Sequence, residues 1–211
     1  MYKEFFNNFL EKHEEKSKVI CIDGVVGVGK STFSEILSQE LNIELYQEPV
    51  LNNPLLDKFY HDKKRYSFPL QIFFLNKRFQ MIQEALTKGN CLMDRSIYGD
   101  IIFSKMLYLD GDMTKEEFNV YQELLETMLK LVKRPNLMIY LKSSVDKAIE
   151  KIERRGRDYE LEVPREYWES LNFHYEAYMR EYNLSNIITF DMDTLNPLQN
   201  LEDRDFIESD V

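Results

Sequence analysis

Residues 24 to 32 read Gly24-Val25-Val26-Gly27-Val28-Gly29-Lys30-Ser31-Thr32, the spacing G-x-x-x-x-G-K-[ST]. Three of the seven glycines in the chain fall within the first six of these positions. Such a loop lets backbone N–H groups converge on a polyphosphate, because a side chain at a glycine position would hold the phosphate too far away. Lys30 then reaches the terminal phosphates, Ser31 ligates magnesium, and the positive end of the following helix adds to the attraction. The plainer reading is a glycine-rich turn from strand to helix with no ligand. The crowding of glycine here, in a chain otherwise poor in it, favours the phosphate reading.

Phosphoryl transfer to a hydroxyl also gains from a carboxylate that takes the proton and from a second that helps hold the metal. Glu48, in Gln47-Glu48-Pro49, suits the first task, worth about a hundred- to ten-thousandfold in rate. Asp94, in Asp94-Arg95-Ser96, suits the second. Each follows an apolar run, and in an open parallel sheet ligands lie beyond the carboxyl ends of the strands. Standing alone, Glu48 reads first as a strand-end carboxylate before a proline; the phosphate loop reverses that preference. A cationic cluster, Arg154-Arg155-Gly156-Arg157, closes a later helical stretch. Basic residues before a glycine are ordinary at a helix C-terminus. Arg157 lies past the glycine, gains little from that helix, and fits a lid folding over a triphosphate.

The elements that must position these groups follow from patterning. Apolar runs at Lys18 to Asp23, Ile43 to Gln47, Cys91 to Asp94, Leu137 to Leu141 and Asn186 to Phe190 predict strands. Helical stretches are expected at Lys30 to Leu41, Tyr66 to Lys88, Ile97 to Leu109, Lys115 to Val132, Ser144 to Arg155 and Arg165 to Tyr182. Strand alternating with helix predicts an α/β fold with a five-stranded parallel sheet flanked by helices. With 211 residues and no Ser/Gly/Pro-rich linker, one domain is expected over 18–193, with the lid near 153–162. Residues 1–17 carry Phe5, Phe6, Phe9 and Leu10 among charges, an amphipathic helix expected to pack on the core. Residues 194–211 form an acidic tail with a fraying end (Glu202, Asp203, Asp205, Glu208, Asp210).

A formal charge of −10 argues against nucleic acid or an anionic membrane as partner, so any phosphate site must be local. No stretch approaches the length of a membrane span, and no secretory apolar core opens the chain. Cys21 and Cys91 sit in apolar runs and read as buried core residues, which fits a reduced cytoplasmic protein.

Taken together, the markers resemble the deoxynucleoside kinases, and among them the bacterial deoxyadenosine/deoxyguanosine kinases. They run from Gly24 to Thr32 through Glu48-Pro49-Val50 with Asn53-Pro54, Phe59-Tyr60, Leu70-Gln71, Asp94-Arg95-Ser96 with Tyr98 and Asp100, to Arg155-Gly156-Arg157 followed by Glu160. The resemblance implies a P-loop nucleotide kinase fold with a short arginine-rich lid, and ATP-dependent, magnesium-dependent phosphorylation of a deoxynucleoside 5′-hydroxyl in nucleotide salvage. It implies Glu48 as general base, with Arg95 beside the same oxygen and Lys30 on the phosphates. Tyr60 and Glu160 would hold the 3′-hydroxyl, Gln71 would face the base edge, Arg78 and Asp100 would help select the base, and Phe68 would pack against it. Arg154, Arg155 and Arg157 would meet the triphosphate, Ser31 and Asp94 the magnesium. Without the resemblance, Gln71 and Arg78 read as solvated helix surface. Phe73, Phe74 and Phe79 are expected to cover other sides of that helix.

Two departures point to the bacterial branch: Asp94 stands where many eukaryotic relatives have glutamate, and Asn53 where they have an aromatic group. The family also dimerises through two helices, here 97–109 and 115–132, although Ile101, Met106, Phe118, Tyr121, Leu125 and Met128 read equally as core.

The nearest rival is a nucleoside monophosphate kinase, thymidylate kinase-like, whose acceptor carries about two negative charges and wants cations where Glu48, Asp94, Asp100 and Glu160 stand. A regulatory GTPase needs an N-K-x-D element, and the Asn76-Lys77 pair is followed by Arg78-Phe79. An inactive P-loop protein is opposed by intact Lys30, Glu48 and Arg95. Adenine, guanine and cytosine stay open as the base.

Overall fold

The computed structural model of the protein describes residues 2–12, 17–48, 50, 53–195 and 207–208. Along the chain come α1 (Tyr2–Lys12), β1 (Val19–Asp23), α2 (Lys30–Leu41), β2 (Glu44–Tyr46), α3 (Leu56–His61), α4 (Lys63–Lys88) and β3 (Cys91–Asp94). A 3-10 turn at Ile97–Gly99 leads into α5 (Asp100–Leu109) and α6 (Lys115–Leu129). Then follow β4 (Leu137–Lys142), α7 (Val145–Arg155), α8 (Asp158–Leu161), α9 (Arg165–Arg180), β5 (Asn186–Asp191) and β6 (Ile207–Glu208).

Among the described residues the strands form one sheet in the order β2-β3-β1-β4-β5-β6. The first five pair in parallel, and β6 adds to β5 antiparallel. The expected five-stranded parallel sheet is therefore present with a sixth, antiparallel strand at its edge. A two-residue strand is too short to carry a readable alternation, which is why patterning passes over it. The acidic tail thus gives Ile207–Glu208 to the sheet; 196–206 and 209–211, and Pro49 of the Glu48-Pro49-Val50 marker, lie outside the described residues.

Every residue of β1 and β3, and all of β4 except Lys142, is buried. Central parallel strands covered on both faces must be apolar throughout, and these are the runs most legible in the sequence. β2, at the edge, exposes Glu44. The registers Ile22↔Asp94, Asp23↔Tyr140 and Tyr46↔Met93 align the carboxyl ends of β1 to β4. Asp23, Glu48 and Asp94 consequently emerge at one edge of the sheet, where β1 lies between β3 and β4.

Local capping sets where these helices start. α4 begins at Lys63 because the Asp62 carboxylate accepts the Arg65 N–H. Thr114 and Glu117 form a reciprocal capping box that fixes the start of α6. The stretch from Ile97 to Leu109 divides into the 3-10 turn and α5, and α3 and α8 are short helices that patterning does not separate from loop. At the N-terminus, Phe6 is fully buried and the Lys18 ammonium donates to the Phe9 and Leu10 carbonyls, which hold α1 against the core. Cys21 and Cys91 are free, buried thiols.

Candidate active site

The loop after β1 is shaped by backbone proximity. Gly27 has φ 83° and a Cβ there would strike the Ala148 carbonyl oxygen of α7; a Cβ at Gly24 would strike that of Leu141 in β4. Part of the glycine requirement is therefore packing beneath the loop, beyond the approach to phosphate that spacing alone suggests. α2 then starts at Gly29 with no side-chain cap and no acidic residue in its first turn. Its first N–H groups are left to an anion.

Lys30 is nearly enclosed, its ammonium donating to the carbonyls of Gly24 at 3.0 Å and Val25 at 2.8 Å. Burial, then the Arg95 charge, brings its pKa down to about 8. Lys151 of α7 donates to the Val28 carbonyl at 3.1 Å. Of the expected phosphate-binding loop residues, Val26, Gly27, Gly29, Lys30, Ser31 and Thr32 line the cavity; Gly24, Val25 and Val28 do not, their carbonyls being taken by Lys30 and Lys151. Ser31 Oγ donates to Asp94 Oδ2 at 2.8 Å, and Asp94 Oδ1 is buried without a hydrogen-bond partner. Burial pushes the Asp94 carboxyl up. A hydroxyl and a carboxylate with a spare oxygen are hard donors that fit magnesium. Among the described residues no group of three His, Cys, Asp or Glu could hold a metal unaided, so such an ion would also need phosphate oxygens.

From this loop a cavity of about 480 Å³ extends to α3 and α4, where Glu48, Tyr60, Gln71, Arg78, Arg95 and Glu160 line it. Gln71, Phe74 and Arg78 recur at helical spacing on α4 and all face the cavity. Phe74 was expected to cover another side of the helix; it turns inward with Gln71. Phe68 is not part of the wall and packs, half-buried, against the core. Three residues before Gln71 on α4, it is taken up in packing against the core rather than left open to a ligand. Phe74 and Phe103 supply aromatic surface instead.

Arg95 sits in the left-handed region at φ 67°, a conformation costing roughly 1–2 kcal/mol for a non-glycine residue. Its N–H is held by the Ile22 carbonyl at 2.8 Å. The side chain, 2% exposed, places Nε 2.9 Å from Glu48 Oε1 and packs over the Phe103 ring. Arg78 Nη2 donates to the same Glu48 oxygen at 2.7 Å, and its Nη1 donates to Asp100. Burial works against the Glu48 charge, but Arg95, Arg78 and Lys30 together outweigh it and hold the carboxyl at about 2. Asp100 is 1% exposed and not in the cavity wall; it reaches the cavity only through Arg78, and burial raises its carboxyl to about 7.

At the other side, α7 ends on Gly156 at φ 69°. Arg155 donates to Glu160 Oε2 from Nη2 at 2.5 Å and Nε at 3.2 Å, and Arg157 reaches Glu160 Oε1 at 3.4 Å. Both arginines bridge to α8 across the turn, which a purely capping role does not explain. Tyr60 stacks on Tyr159 at 5.4 Å. Arg154 also lines the cavity, as does Lys151, which sequence reasoning missed although it shares a helical face with Arg154 and Arg155. Phe103, Tyr167, Asp23 and Tyr175 were missed as well. Tyr175 bonds Asp23 from 152 residues away, and nothing local announces such a contact.

A family model described as deoxynucleoside kinase matches residues 20–210. A deoxyadenosine/deoxycytidine kinase of Bacillus subtilis is 38% identical over 199 residues, covering 91% of this chain and 92% of the relative. A deoxyguanosine kinase of Lactobacillus johnsonii is 37% identical over 195 residues, covering 88% and 87%. Among solved structures, a deoxyadenosine kinase from M. mycoides with the products dCMP and a flexible dCDP bound superposes with a TM-score of 0.79 at 33% identity, covering 85% of this chain and 93% of that one.

Proposed function

The chain belongs to the deoxynucleoside kinase family, and from that premise we propose that it moves the γ-phosphoryl group of ATP onto the 5′-hydroxyl of a deoxynucleoside, purines preferred, yielding the monophosphate for nucleotide salvage. The observation that carries this is Glu48: a charged carboxylate held by two arginines in the same cavity wall as Lys30 and Ser31. With its pKa near 2, Glu48 is too weak a base to ionise an alcohol beforehand. It takes the proton as the new O–P bond forms, which suits a loose transition state in which the attacking oxygen acidifies late. Arg95 would steady that carboxylate, and Lys30, Arg154, Arg155 and Arg157 would balance the phosphate charge, residues 153–162 closing as a lid. Magnesium held by Ser31, Asp94 and phosphate oxygens would neutralise charge between the β- and γ-phosphates.

An uncharged acceptor suits the site better than a monophosphate. At the acceptor end Arg78 and Arg95 are committed to Glu48 and Asp100, Arg155 and Arg157 are engaged with Glu160, and Lys151 is bound to the phosphate loop at the Val28 carbonyl. Gln71 offers both an amide donor and an acceptor, which matches the edge of adenine, and the similar kinases named above act on deoxyadenosine, deoxyguanosine or deoxycytidine. Transfer of radiolabel from [γ-³²P]ATP, with magnesium, to each deoxynucleoside, ribonucleoside and monophosphate is the test. Label in deoxyadenosine or deoxyguanosine monophosphate is expected. Label only in diphosphates, made from monophosphates, would overturn the reading.

A homodimer through α5 and α6 belongs to the same reading. Met106, Tyr121 and Leu125 are committed to the core, but Leu109 and Val120 stay 58% and 56% exposed; a monomeric mass by light scattering would remove it. No described helix is long and apolar enough to cross a membrane. ATP as donor and two free thiols fit a reducing, cytoplasmic setting.

A further inference from the structure

Behind the cavity wall lies a polar group that the reaction as described leaves unused. Tyr175, on α9, is fully buried. Its hydroxyl accepts from Arg95 Nη1 and donates to Asp23 Oδ1 at 3.0 Å. Asp23 Oδ1 also accepts the Gly24 N–H at 2.8 Å, and Arg95 Nη2 donates to the Gly24 carbonyl at 3.2 Å. The first residue of the phosphate loop is thus gripped on its N–H by Asp23 and on its carbonyl by Arg95, and Tyr175 joins the two grips.

The contacts on Arg95 point in different directions: Nε toward Glu48, Nη1 toward Tyr175, Nη2 toward Gly24, with Phe103 and Tyr175 rings against the guanidinium plane. A planar fork bound this way cannot turn without breaking a buried hydrogen bond. A phenylalanine at position 175 would fill nearly the same volume and keep the edge-to-face packing on Phe103. The hydroxyl is therefore not needed to fill space, and burial pushes its pKa up so that it remains a donor.

We propose that Tyr175, acting with Asp23, is a positioning residue for phosphoryl transfer: it fixes the Arg95 guanidinium, and through it the Glu48 carboxylate, relative to the first peptide of the phosphate loop. This rests on the deoxynucleoside kinase reading above. Its consequence is that donor and acceptor are registered against each other by one buried chain, Asp23–Tyr175–Arg95–Glu48, crossing from β1 through α9 to the ends of β3 and β2. Displacement of a reacting group by about 1 Å costs on the order of a hundredfold in rate, so loosening this chain acts on turnover before it acts on binding.

The test is Tyr175→Phe, made alone and with Arg95→Lys, with rates measured in single turnover under excess enzyme so that slow variants are followed. Rates are normalised to the fraction of enzyme that binds ATP, which removes loss of folded protein. Tyr175→Phe alone is expected to lower the single-turnover transfer rate about tenfold to a hundredfold, with the half-saturating ATP concentration within about twofold of wild type. In the Arg95→Lys background the same change is expected to cost less than about threefold, because no fork is left to hold. Asp23→Asn, which keeps volume, is the second variant and shifts that rate in the same direction. The full wild-type rate in Tyr175→Phe, or an equal loss in both backgrounds, would overturn the inference. A wild-type enzyme that phosphorylates no deoxynucleoside would instead sink the functional reading on which it rests.

Discussion

Arg78 and Glu48 meet at 2.7 Å in a nearly enclosed pair, the arginine side chain 3% and the glutamate 19% exposed. The other nitrogen of the same guanidinium binds Asp100. One residue therefore ties the wall where a base would lie to the carboxylate where the proposed chemistry occurs. Arg78 is also one of the three cations, with Arg95 and Lys30, that hold the Glu48 carboxyl down.

Removing Asp100 should show how much this costs the fold. Asp100→Ala leaves Arg78 charged and partly unpaired in a buried site, and is expected to destabilise by about 3–5 kcal/mol. Arg78→Met combined with Asp100→Leu, which removes both charges, should recover most of that. Thermal unfolding of the three proteins checks it; a double variant no better than Asp100→Ala would contradict the pairing argument.

Stability in acid depends on Glu48. Its carboxyl is held at about 2 in the folded chain against an ordinary 4.5, so the folded state binds the proton less readily than the unfolded one. The contribution is present above pH 4.5 and is lost as pH falls toward 2. The melting-temperature gap between wild type and Glu48→Gln should accordingly narrow as pH is lowered from 5 to 3. A gap that is constant with pH would show that the arginines do not hold this carboxyl down.

For the lid, the contact of Arg157 with Glu160 is long at 3.4 Å and the arginine side chain is 32% exposed, so little stability hangs on it. Arg157→Ala should lower kcat by about a hundred- to a thousandfold, the scale for losing one group that stabilises charge in a transition state, with a melting temperature within about 2 °C of wild type. A large drop in melting temperature with normal kinetics would restore the capping explanation.

What could be read in the sequence was whatever is local. The phosphate loop, β3 and α2 stand where spacing and apolar runs put them, because central strands and a glycine-rich loop leave composition little freedom. Glu48, Gln71, Arg78 and Arg95, singled out at separate places in the sequence, all line one cavity. Helix phase was harder. Phe68 and Phe74 look alike in the sequence, and only the packing of α4 on its neighbours decides that Phe74 faces inward. Asp23 and Tyr175 carried no signal, since their partners lie on other strands and helices and a tyrosine on a helix reads as core.

The central claim is that Glu48 accepts the proton of the incoming 5′-hydroxyl, and the most direct measurement is the single-turnover rate of phosphoryl transfer from ATP to deoxyadenosine or deoxyguanosine in Glu48→Gln. The account predicts a rate at least about a hundredfold below wild type with ATP affinity nearly intact. A variant that transfers phosphate at the wild-type rate would contradict it.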